Sequence, residues 1–144
     1  MAARQPRGVR NNNPGNIDRT DVVWQGEDRS FAARDAEPRF CVFKSADFGF
    51  RALARVLRTY RERYGLTTVR GIIGRWAPPN ENNTDAYVQQ VAKAIGVKPD
   101  DAIDVRRMTH CLPLAKAIAK HENGGDYWTE ATIRAGLLLA GVNE

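Results

Sequence analysis

The sequence predicts a single, mainly helical domain of the α+β kind. It has about five helices and a small irregular or β-rich lobe near the N-terminus. Three observations lead there. From residue 45 onward, apolar residues recur at helical spacing between recognisable caps and stops. Residues 11–44 instead carry Asn, Asp, Gly and Arg with only short apolar pieces. The chain has 144 residues, 42% of them apolar and 27% charged, which suits one folded domain over 1–144 with a core of its own.

Taken in order, residues 1–10 read as a loose basic lead. Val22-Val23-Trp24 and Phe40-Cys41-Val42-Phe43 are short enough and apolar enough for strands, with Trp24-Gln25-Gly26 ending the first. Asn13-Pro14-Gly15-Asn16 is a turn by its chemistry, because Pro presets φ and Gly accepts positive φ. Ser45 or Asp47 caps a helix whose stripe is Phe50, Leu53, Ala54, Leu57, Tyr60 and Tyr64, and Gly65 ends it. A second helix runs from about Thr68 to Trp76 and stops before Pro78-Pro79. A third starts near Asn83-Thr84, turns Tyr87, Val88, Val91 and Ile95 inward, and stops at Gly96. A fourth covers Leu112 to Glu122 with Pro113 in its first turn. The last runs from a Thr129 cap to Gly141.

Composition narrows the function classes. The net charge of +5 is modest and reads as spread along the chain; it favours a polyanionic partner without choosing one. The two cysteines, Cys41 and Cys111, are too few for a disulfide scaffold. Burial as small apolar residues is the expectation, and a Cys41–Cys111 bridge is the alternative in an oxidising compartment. No apolar run approaches the roughly 18 residues of a membrane span, and no signal peptide opens the chain. Synthesis in the cytoplasm is therefore expected, with delivery to any outside substrate by a pore, a virion or cell lysis. His121-Glu122 lacks a second histidine at zinc-peptidase spacing, so neither a metal nor another cofactor is expected.

Three clusters can carry chemistry. Asn11, Asn12, Asn13 and Asn16 fall within one short run, and their amides suit the hydroxyls and N-acetyl groups of sugars. A tight turn uses asparagine equally well. Trp76 to Tyr87 sets two aromatic rings around a polar loop holding Asn80 and Asn82; the rings fit sugar stacking or the core. His121 to Tyr127 puts the Glu122 carboxyl at the C-terminal end of an apolar helix, with Tyr127 beyond a glycine turn. Partial desolvation and the negative end of the helix dipole suit a proton donor there, and glycosidic cleavage needs one. A solvated glutamate at a frayed helix end is the plain alternative.

The run Arg7-Gly8-Val9-Arg10-Asn11-Asn12-Asn13-Pro14-Gly15-Asn16-Ile17 resembles the opening of a family of small phage and prophage proteins. Trp24-Gln25-Gly26, the Phe43 to Leu53 region, Trp76-Ala77-Pro78-Pro79-Asn80-Glu81-Asn82-Asn83-Thr84 and His121-Glu122-Asn123-Gly124 match in the same order. The resemblance spans nearly the whole chain. It implies a lysozyme-like fold in a virion-associated protein or a lytic enzyme. Ala119 to Gly125 is also similar, more loosely, to the glutamate helix of glucosaminidases and lytic transglycosylases. There the asparagine segment follows the glutamate, so the reversed order here implies a circular permutation, with the two chain ends close together.

On that mapping the chain cuts peptidoglycan glycan strands as a monomer. Glu122 is the general acid, and Asn11–Asn16, Asn80, Asn82, Tyr87 and Tyr127 line the groove. Glu27 and Glu81 are rival acids, and Asp18, Asp28 or Asp126 would supply a second carboxylate. Hydrolysis and transglycosylation both fit. A non-catalytic virion or wall-binding protein on the same fold predicts an exposed Glu122 without a groove. A nucleic-acid binder predicts one continuous basic face, and phage virion proteins are further expected partners.

Overall fold

The computed structural model describes residues 4–80 and 82–144. The first three residues of the basic lead and the rival acid Glu81 lie outside them. The chain is mainly helical, as expected. Among the described residues there are seven helices: α1 (Arg7–Arg10), α2 (Phe31–Ala36), α3 (Ala46–Tyr64), α4 (Val69–Trp76), α5 (Thr84–Ile95), α6 (Met108–Asn123) and α7 (Glu130–Leu139).

Five of these are the helices read from sequence, with their punctuation largely in place. Thr68, Asn83 and Thr129 cap α4, α5 and α7 by accepting the N–H three residues on. Gly65 and Gly96 end α3 and α5 in the left-handed conformation. Ser45 precedes α3 but its hydroxyl bonds Asp47 rather than a backbone N–H. The fourth helix starts at Met108, four residues ahead of the expected Leu112. The added turn is held from a distance: the Met108 N–H donates to the Asn143 carbonyl at 2.6 Å, and Met108 and Cys111 are buried. Pro113 therefore lies inside the helix, where it has no N–H for the preceding turn.

The N-terminal lobe departs further from expectation. The lead is not loose from Pro6 onward, because α1 forms there and Gly8 is buried against Asn123. The two strands do not form; Val22 and Val23 are 54% and 69% exposed. Isolated antiparallel bridges, Asp18 with Phe40 and Glu27 with Phe43, replace them. Short apolar runs do not make a sheet when side chains take the backbone bonds. Here the Asn13 amide donates to the Ile17 and Cys41 carbonyls at 3.0 and 2.9 Å, and its oxygen accepts the Ile17 N–H.

The main core lies between α3, α4, α5, α6 and α7, around Phe50, Leu57, Ile72, Tyr87, Leu114 and Leu137. α6 runs through it, packed on α5 and α7. Cys41, Phe43 and Ala52 form a second cluster under the lobe. Cys41 and Cys111 fall in different clusters, and both are free. No bridge joins them, and burial pushes both thiols up to about 12. Native protein at pH 8 should therefore react with a thiol reagent far more slowly than unfolded protein. Fast titration of two thiols before unfolding would contradict this packing.

The first and last described segments of the chain do not meet. α1 abuts the C-terminal end of α6 through Gly8 and Asn123, whereas Asn143 pairs with its N-terminal end. The 16 residues of α6 span about 24 Å. Ends that far apart do not favour a circular permutation.

Candidate functional site

The asparagine turn is the joint that builds the site. Asn12 and Asn16 take left-handed backbone conformations, φ 52° and 48°, which asparagine tolerates better than most residues. The turn threads between three helix ends. At α3, the Asn12 carbonyl lies so close to Gly49 that a β-carbon there would sit 1.9 Å from it. At α4, Gly15 lies under the ring of Trp76. At α6, the Asn123 amide donates to the Pro14 carbonyl at 3.0 Å and the Asn16 amide to the Glu122 carbonyl at 3.5 Å.

Three of the four asparagines are thereby spent on structure. Asn11 is buried and donates to Glu37 at 3.0 Å, Asn12 donates to the Phe43 carbonyl, and Asn13 holds the turn closed. They do not line the groove as expected. Asn16 does, and its buried side-chain oxygen has no hydrogen-bond partner among the described residues.

A cleft of about 460 Å³ opens between the lobe and the helical body. Asn16, Asp18, Arg39 and Phe40 form its lobe side. Tyr60, Trp76, Asn82 and Glu122 stand on the helical side. Glu122 is half-buried in the last turn of α6. Tyr87 is fully buried, so its ring is core, yet its hydroxyl donates to Glu122 Oε2 at 3.2 Å. Burial, and then the nearby carboxylate, push the phenol above its ordinary range, so it stays a neutral donor. His121 stacks on the same ring, with centroids 3.6 Å apart.

The other candidates separate cleanly. Glu27 is buried in the lobe, where it accepts the Trp24 N–H at 3.1 Å and pairs with Arg29; it does not reach the cleft. Asp28 accepts the Ser30 N–H at the start of α2, which lowers its carboxyl, and Asp126 pairs with Lys120. Asp18 alone of the three lies on the cleft wall, paired with Arg39 at 2.9 Å. Asn80 is exposed outside the cleft, and Tyr127 packs at its edge on Trp128 on another face.

Sequence reasoning missed Arg39, Phe40 and Tyr60. Tyr60 belongs to the α3 stripe and was expected in the core; its place near the helix end puts it at the core's rim. The charge is not spread evenly either. From Lys44 to Arg75 there are eight basic residues and two acidic ones, Asp47 and Glu62. Among the described residues no cluster suited to a metal ion occurs, and no helix is long and apolar enough to cross a membrane.

No family model matches the chain. It is 38% identical over 133 residues to a protein described as "Protein P5" of Pseudoalteromonas phage PM2, with 90% of this chain and 79% of that protein covered.

Proposed function

The chain belongs to the family of Protein P5 of Pseudoalteromonas phage PM2, and from that premise we propose that it is a phage-type enzyme that cuts the glycan strands of peptidoglycan. The observation that carries the reading is Glu122 on the wall of a cleft among aromatic and amide side chains. Sugar faces stack on a ring such as Trp76, and sugar amides and hydroxyls pair with Asn82. A carboxyl fixed on the cleft wall is the kind of group that exchanges a proton with a glycosidic oxygen. A non-catalytic virion or wall-binding protein would need no such placement.

Glu122 acts as general acid. Its Oε2 accepts from Tyr87, which leaves Oε1 to carry the proton toward the leaving oxygen. Asp18, across the cleft, is the second carboxylate, available to steady positive charge on the sugar ring or to activate water. The protein reaches the wall from the virion or from a lysing host, and works as a monomer.

The test uses purified peptidoglycan and the wild-type chain. Turbidity should fall, and the released fragments should carry either reducing ends from hydrolysis or anhydro ends from transglycosylation. Intact peptidoglycan after prolonged incubation with folded protein rejects the enzyme. Co-sedimentation with the wall in that case establishes the binding protein instead.

A further inference from the structure

Tyr60 stands on the border of two hollows. On one side is the cleft that holds Glu122. On the other is an open groove of about 640 Å³, walled by Tyr64, Leu66, Arg75 and Pro78. The two share that ring as a wall.

Arg75, like Arg51, Arg55 and Arg63 of α3, pairs with no carboxylate among the described residues. Arg58, Arg61 and Arg70 pair with Glu62, Asp104 and Asp100. Arg39, the cation of the cleft itself, pairs with Asp18. Arg75 is exposed and, among the described residues, its close partners are rings: its guanidinium carbon lies 3.5 Å from the Tyr64 centroid and 5.4 Å from that of Tyr60. A guanidinium held over aromatic faces keeps its N–H fork for an acceptor, and that fork matches a carboxylate. The surrounding excess of basic residues on α3 and α4 favours the same sign of ligand.

We propose that this groove reads the peptide stems of the glycan strand, with Arg75 binding a stem carboxylate. The inference rests on the glycan-cutting reading above. With its lactyl groups amide-linked to the stems, the sugar backbone is neutral. The carboxylates of the wall polymer sit on the peptide stems that branch from every second sugar. An arginine in the groove beyond Tyr60 meets no charge on amide-linked sugars and fits the branched polymer.

The experiment uses Glu122→Gln protein, so that strands are bound without turnover. Soluble glycan strands bearing stems with free carboxylates are compared with the same strands after those carboxylates are converted to amides. The strands with free carboxylates should bind at least about fivefold more tightly, and adding Arg75→Gln should reduce the preference to within about twofold. Arg75→Lys, which keeps the charge without the fork, should restore part of it. Circular dichroism of each variant checks that the fold persists. Equal binding of both strands overturns the proposal and leaves the glycan reading standing, as does a preference that survives Arg75→Gln. Binding of neither strand removes both.

Discussion

Glu122→Gln should lower the rate of glycan cleavage by about a thousandfold while the protein keeps its fold and its affinity for the strand. General acid catalysis supplies roughly 10²–10⁴ in rate, and glutamine has no proton to give. The substitution is close to isosteric. The Glu122 backbone carbonyl still accepts from Asn16, and the new amide oxygen still accepts from Tyr87. The melting temperature should therefore move little. Turnover comparable to wild type would place the acid elsewhere, with Glu81 the next residue to replace.

Tyr87→Phe separates the proton donor from its holder. The ring remains packed on His121, and only the hydroxyl is lost. The carboxyl of Glu122 is then free to turn, and a hydrogen bond to a charged or reacting group of this kind is worth about a tenfold rate. The loss should fall on kcat and leave KM near its wild-type value, because the hydroxyl is buried and does not face the sugar. A rise in KM with kcat intact would mean that the tyrosine serves binding instead.

How far the sequence led can be seen residue by residue. Asn83, Gly96 and Thr129 act locally, so the helices they start or stop were readable. The start of α6 was not, since its first turn is held by Asn143, more than thirty residues away. The asparagine run was recognisable as unusual, but amide chemistry alone does not separate sugar binding from backbone bracing. Only the distant partners Glu37, Phe43 and Cys41 decide that three of the four brace the chain. Glu122 was legible because an apolar helix ends at it. Phe40 and Arg39 were not, because nothing in a short extended segment tells which face meets the distant α6.

Glu37→Gln should cost roughly 2–3 kcal/mol at pH 7, and the cost should shrink on acidification. Glu37 is buried at the end of α2 and accepts five hydrogen bonds. They come from the Arg7 guanidinium at 2.9 and 2.5 Å, the Asn11 amide at 3.0 Å, and the Arg39 and Phe40 N–H groups at 2.9 Å each. A glutamine places an N–H pair against donors on one side. The Arg7 side chain is 43% exposed, which keeps the loss below that of a fully buried pair. For a chain of this size the midpoint of thermal unfolding should fall by about 6–12 °C. The Arg7 hydrogen bonds, aided by Phe40, Arg39 and Asn11, hold the Glu37 carboxyl well below its ordinary value of 4.5. A carboxyl depressed by folding stabilises the native state fully above its unfolded value and loses that contribution as pH falls below about 4.5 toward the folded value. The difference between wild type and variant should therefore begin to shrink below about pH 4.5 and go on shrinking as the pH falls toward the folded value. Asp104, depressed in the same way by Arg106, titrates in both proteins and cancels in the difference. The same contacts set Phe40 between the Arg7 and Arg39 guanidiniums, 4.5 and 4.7 Å from its centroid, on the cleft wall. Loosening them should raise KM for glycan at pH 7 before the protein unfolds. Equal melting of the two proteins at pH 7 would show that this buried carboxylate does not hold the lobe.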